Sequence, residues 1–159
     1  MDVELQMNIT QMENGIMNIT QENKELLFKD LSARLPYHIR VKVWLKDGTT
    51  EEGVLDLEYN YADVLRDAFY YNKIVDIKPY LRPISSMTME EDRIRIDLGI
   101  WKSNQYDGQI IGILQDVAYA NPLVFQNALI WLLQNHFDIF GLIPKGLAIA
   151  VNEENNPYK

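Results

Sequence analysis

An apolar rhythm becomes readable at residue 22. Leu26, Leu27, Leu31 and Leu35 recur at three- and four-residue steps, which predicts a helix from Glu22 to Leu35 with one apolar stripe. Thr20 is placed to cap it and Pro36 to stop it. The period then changes to two. Ile39, Val41, Val43 and Leu45 alternate with Arg40, Lys42, Trp44 and Lys46, the pattern of a half-buried strand. Asp47-Gly48 signals a tight turn, and Val54, Leu55 and Leu57 lie in a return strand with Gly53 as a candidate bulge. Trp44 falls on the polar face, where it can cover a second layer or a partner. Residues 58–71 read two ways: Val64, Leu65, Ala68 and Phe69 suit a short helix, whereas Phe69-Tyr70-Tyr71 suits a strand.

The stretch from Ile74 to Glu91 is a joint. Ile74, Val75 and Ile77 open it as a strand. Pro79 and Pro83 then stiffen it and push Lys78 and Arg82 towards extended geometry. Ser86 or Thr88 can cap a helix whose first turn carries Glu90 and Glu91. Arg93 to Leu98 alternate strictly, so this segment is either a strand or the end of a helix begun at Thr88. Beyond a polar break at Ser103–Gly108, Ile110, Ile113, Leu114, Val117 and Ala118 form a helical stripe. Asn121-Pro122 ends that helix and starts a second, which runs to about His136. Phe125, Ala128, Leu129 and Leu132 form its main face, and Ile130, Trp131 and Leu133 widen it. Such a helix is buried on most sides or meets another subunit. Leu147–Val151 predicts a short closing strand, and 152–159 is a polar tail.

These elements predict an α+β protein: an N-terminal helix, a small antiparallel sheet with SH3-like character, and a C-terminal helical hairpin with a short closing strand. Residues 1–21 read as a poorly ordered leader, in which Met7-Asn8-Ile9-Thr10-Gln11 recurs as Met17-Asn18-Ile19-Thr20-Gln21. Two ten-residue units cannot bury a core. Residues 22–151 read as a single domain.

Composition narrows the chemistry. The net charge of −8 is spread along the chain and leaves no basic patch, which argues against direct nucleic-acid binding. There are no cysteines, which excludes disulfides and thiolate metal sites and agrees with a cytoplasmic location. No apolar run approaches a membrane span. Two isolated histidines do not make a structural zinc site, so no metal or cofactor is expected. No phosphate-cradling glycine loop or nucleophile elbow is present.

Three stretches carry a resemblance. They are Glu25 to Tyr37 (ELLFKDLSARLPY), Ile77 to Thr88 (IKPYLRPISSMT), and His136-Phe137-Asp138 with Gly141 to Ala148 (GLIPKGLA). Together they resemble a family of small uncharacterised proteins from gut bacterial genomes and their phages and mobile elements. The family typically begins near Met17. Its usual ending has two adjacent histidines and a Tyr-Arg pair before the glycine, where this chain has Asn135 and Ile139-Phe140. The resemblance implies an accessory, phage- or mobile-element-encoded role.

Candidate function follows from what remains. His136 and Asp138 could be a base and its orienter, but residues two apart at a helix end do not face each other. The commoner outcome is a histidine that serves the helix terminus. No catalytic residue is assigned. Lys78, Tyr80 and Arg82 alternate along the extended arm, so with Tyr37 they can offer two cations and phenols to an anionic ligand. The alternative is that both cations pair with the chain's own carboxylates while Tyr80 packs. The leading expectation is a non-enzymatic interaction protein that binds another protein, or its own copy, through Trp131's helix and the surface around Trp44. A small anionic-ligand binder using Lys78, Tyr80 and Arg82 stands second, and a hydrolase using His136 third.

Overall fold

The computed structural model describes residues 20–56, 74–102, 111–113 and 122–159. Among these residues the architecture is α+β, and the chain divides between Pro79 and Tyr80 into two units.

In the first unit, α1 (Gln21–Arg34) starts where predicted, with the Thr20 hydroxyl accepting the Asn23 N–H at 3.2 Å. Its buried stripe is Leu27, Asp30, Leu31 and Arg34, spaced as one helical face. Two of the four are charged. The Arg34 guanidinium donates to both Asp30 oxygens at 2.6 and 3.0 Å, and neither side chain reaches solvent. Burial pushes the Asp30 carboxyl above the usual carboxylate range, and Arg34 opposes that shift in part. A 3-10 turn at Leu35–Tyr37 contains Pro36, and His38, at φ 54°, redirects the chain.

Strands β1 (Ile39–Leu45), β2 (Thr50–Leu55) and β3 (Ile74–Leu81) follow. β1 pairs antiparallel with both others. Period-two burial places Ile39, Val41 and Val43 inward, and Leu55, Ile74 and Ile77 are buried with them. The tight turn is built at Gly48, φ 85°, beside Asp47, whose Oδ1 accepts the Thr49 N–H at 2.8 Å. The expected bulge moves. Gly53 lies in unbroken register opposite Val41, and the irregularity falls between Trp44 and Leu45 against β3. Leu57, the ambiguous 58–71 segment and the 1–19 part of the leader lie outside the described residues.

In the second unit, Tyr80 and Leu81 at the end of β3 pair parallel with the closing strand β6 (Ile149–Ala150). A 3-10 turn at Ile84–Ser86 leads to α2 (Met89–Asp97). The strict alternation of Arg93 to Leu98 therefore belongs to a helix: a complete capping box at Thr88 and Glu91 outweighs the local period. β4 (Ile100–Lys102) and β5 (Ile111–Ile113) form an antiparallel pair.

At 111–113 that pair corrects the helix expected through Ile110, Ile113, Leu114, Val117 and Ala118; 110 lies outside the described residues. Residues 111–113 are extended, with Gly112 opposite Trp101, and a β-branched Ile-Gly-Ile run pays little to be strand. Residues 114–121 lie outside the described part. The second arm of the expected hairpin is present as α3 (Pro122–Gln134). Its Ala128 and Leu132 join Ile84, Ile100 and Phe137 in a buried cluster, against which Met87, Leu98, Trp131 and Ile139 pack. Phe125, expected on the buried face, is 40% exposed.

Candidate functional site

The second unit converges on Arg82. Its backbone N–H donates to the His136 carbonyl at 2.8 Å, and its carbonyl accepts the Asp138 N–H at 2.9 Å, a parallel bridge centred on Phe137. Its guanidinium lies 4.3 Å from the Phe137 ring centre and grips the Glu91 carboxylate with two bonds of 2.8 and 2.9 Å. Longer contacts of 3.4 Å run to the carbonyls of Ser86 and Asn135. One side chain thus ties the end of β3, the start of α2 and the end of α3. The hydrogen bonds from Arg82 hold the Glu91 carboxyl below its usual range despite partial burial.

α3 ends in a left-handed turn. His136, at φ 61°, donates its N–H to Leu133, and Phe137 donates to Leu132. Glycine usually takes this position, and here a histidine does. Its ring is compensated by a parallel stack on Tyr158, with centres 3.9 Å apart. Asp138, two residues on, is engaged with the backbone that follows. Its carboxylate is wholly buried and accepts the N–H groups of Leu142 and Ile143 at 2.8 and 2.9 Å, pinning the glycine-containing loop that follows.

The segment after β6 is a built structure, which its polar composition did not announce. Asn152 Oδ1 accepts from the N–H groups of Glu154 and Asn155, and Asn155 Nδ2 donates to the Ala150 carbonyl. The Tyr158 hydroxyl donates to the Tyr80 carbonyl at 2.7 Å. Between this segment and the Arg82 junction lies an open cleft of about 660 Å³. Arg82, Thr88, Asn135, His136, Asn156 and Tyr158 are among its walls.

The residues singled out in the sequence fall into two groups. Tyr37, Trp44 and Lys78 belong to the first unit; Tyr80, Arg82 and Trp131 belong to the second. Lys42 and Lys78 both lie over the Trp44 ring, at 5.6 and 5.7 Å from its centre, and Lys78 also pairs with Asp76 at 3.7 Å. Tyr37 is half-buried in its turn. Tyr80 is buried, so it does not project beside Lys78 and Arg82 as an open phenol. Trp131 is half-buried, 5.7 Å from the Phe137 ring. Both cations of the arm therefore face the chain's own carboxylates.

Sequence reasoning missed the cleft because its polar lining comes from a tail with no apolar period. The signal available was the spacing of Asn152, Asn155 and Asn156, residues that cap turns. Among the described residues no group of three His, Asp or Glu could hold a metal, and no helix is long and apolar enough to cross a membrane. No family model, no curated protein and no solved structure matches this chain.

Proposed function

We propose that the chain is a non-enzymatic interaction protein that associates with a second copy of itself through the outer face of α2. The observation that carries this reading is that α2 is turned inside out. Its half-buried positions are Glu91, Asp92 and Arg95, all charged. Glu91 is held by Arg82, and Arg95 by Asp92 and the Ile100 carbonyl at 2.8 and 2.6 Å. The outward positions include Met89, Ile94 and Ile96, which are 84%, 38% and 60% exposed, and no residue of this helix is buried. A surface helix normally does the reverse.

The outer face also carries Glu90, Arg93 and Asp97, charges of both signs. Two antiparallel copies of such a face bring Met89 of one towards Ile96 of the other. A two-fold contact needs this self-complementarity. Each apolar side chain fully buried contributes about 1.5–3 kcal/mol, comparable in sum with the cost of association, so a weak, concentration-dependent dimer is expected. The commitment of the Asp138 carboxylate to two backbone N–H groups also favours a non-enzymatic role. The resemblance noted above fits this as an accessory protein of a phage or mobile element.

Light scattering after size exclusion tests the reading over a wide concentration series. The unmodified chain should shift from monomer to dimer, and Met89→Glu/Ile96→Glu should remain monomeric with unchanged melting temperature. A monomer throughout in the unmodified chain refutes it.

A further inference from the structure

The cleft beside Tyr158 rests on different observations from the α2 face, and we infer that it is a binding site for a neutral polyhydroxylated ligand, of the saccharide class. Each amide on its wall is half spent. Asn152 uses Oδ1 on the Glu154 and Asn155 N–H groups, and Asn156 uses Oδ1 on the Tyr158 N–H. Asn135 uses Nδ2 on the Trp131 carbonyl at 2.8 Å. Thr88 Oγ1 accepts the Glu91 N–H. The bonds already made fix these side chains.

The other halves have no protein partner among the described residues: the Nδ2 groups of Asn152 and Asn156 and the Thr88 hydroxyl proton as donors, and Asn135 Oδ1 as an acceptor. All of these residues line the one cleft, together with the Tyr158 ring. Fixed neutral donors and acceptors beside an aromatic ring suit a ligand rich in hydroxyls, because the loss of side-chain freedom has already occurred.

An anionic ligand fits less well. Arg82, a half-buried cation of the wall, is bidentate on Glu91, and Lys159 shares the wall with Glu153. A phosphate would have to displace a carboxylate already in place. The volume of about 660 Å³ lies within the range of small-molecule sites, and its open form suits a ligand of one or two rings.

The test uses the full chain, ¹⁵N-labelled, titrated separately with maltose, cellobiose, sucrose and N-acetylglucosamine, with ATP as the anionic comparison. The side-chain amide resonances of Asn152 and Asn156 report directly. At least one saccharide is expected to shift them saturably. Asn152→Asp/Asn156→Asp keeps the Oδ acceptors that hold the tail and removes the Nδ2 donors. It should retain the melting temperature and lose at least tenfold in affinity. No saturable shift with any of the four sugars overturns the inference, as does equal binding by the double variant. Tighter binding of ATP than of every sugar would replace it with an anion site. None of these outcomes depends on whether the chain dimerises.

Discussion

Removing Glu91 should weaken the second unit more than a surface glutamate normally would. The side chain does two jobs. It takes both terminal nitrogens of Arg82, and its Oε1 accepts the Thr88 N–H at 3.0 Å to complete the capping box. The two partners of the ion pair are 16% and 21% exposed. The pair therefore lies between an exposed one, at about 0.2–1 kcal/mol, and a fully buried one, whose rupture costs about 3–5 kcal/mol. Taking about 1.5 kcal/mol for the pair and about 0.5–1 kcal/mol for the cap gives a loss of about 2–2.5 kcal/mol for Glu91→Ala. For a chain of this length that is a fall in Tm of about 5–9 °C. Glu91→Gln keeps an acceptor for Thr88 and should lose about half as much. The pH dependence separates the two jobs. The folded carboxyl titrates below its ordinary value of 4.5, so the charge contribution is present above that value and is lost as pH falls below it. The gap between the unmodified chain and Glu91→Gln should be constant from neutral pH to about 5 and then close in acid. Urea unfolding followed by tryptophan fluorescence and circular dichroism measures it. A loss under about 0.5 kcal/mol in Glu91→Ala, or a gap to Glu91→Gln that does not close in acid, refutes the argument that Arg82 and Glu91 hold the junction.

Two further losses should be larger. Asp30→Ala leaves the enclosed Arg34 guanidinium without its carboxylate and should cost about 3–5 kcal/mol, whereas Asp30→Leu/Arg34→Met should cost little or nothing, as judged by denaturant midpoints. Asp138→Ala strips two backbone N–H groups of their acceptor and should cost about 2–4 kcal/mol, with Asp138→Asn intermediate, measured by thermal melting.

The parts of the fold that were legible are those where a period or a cap acts locally. Thr20, the stripe of Leu26, Leu27, Leu31 and Leu35, of which all but Leu26 are buried, the alternation of Ile39 to Val43 and the turn at Asp47-Gly48 need only neighbours within a few residues. Thr88 belongs with them, because a capping box is written within four positions. The α1 stripe was only half legible, since Asp30 and Arg34 enter the interior as a neutral pair, which a hydropathy pattern scores as solvent. Residues 111–113 went the other way: their apolar spacing fits a helix, but a partner strand at Ile100–Lys102 decided the matter.

The candidate site was least legible for the same reason. Arg82 was visible as a cation on a stiff arm, but its partner, Glu91, and the adjacent His136 and Phe137 that meet its backbone and its guanidinium come from two other places in the chain. Once Arg82 is anchored to Glu91, the polar side of α2 is fixed inward, and its apolar residues have nowhere to go but outward. The exposed Met89 and Ile96 are then a consequence of the junction. A variant that breaks the Arg82–Glu91 pair while preserving the helix, such as Glu91→Gln, should therefore loosen the orientation of α2 and weaken the proposed dimerisation along with stability. If Glu91→Gln loses stability while its dimerisation stays unchanged, the junction and the outer face are independent, and the proposed link between them fails.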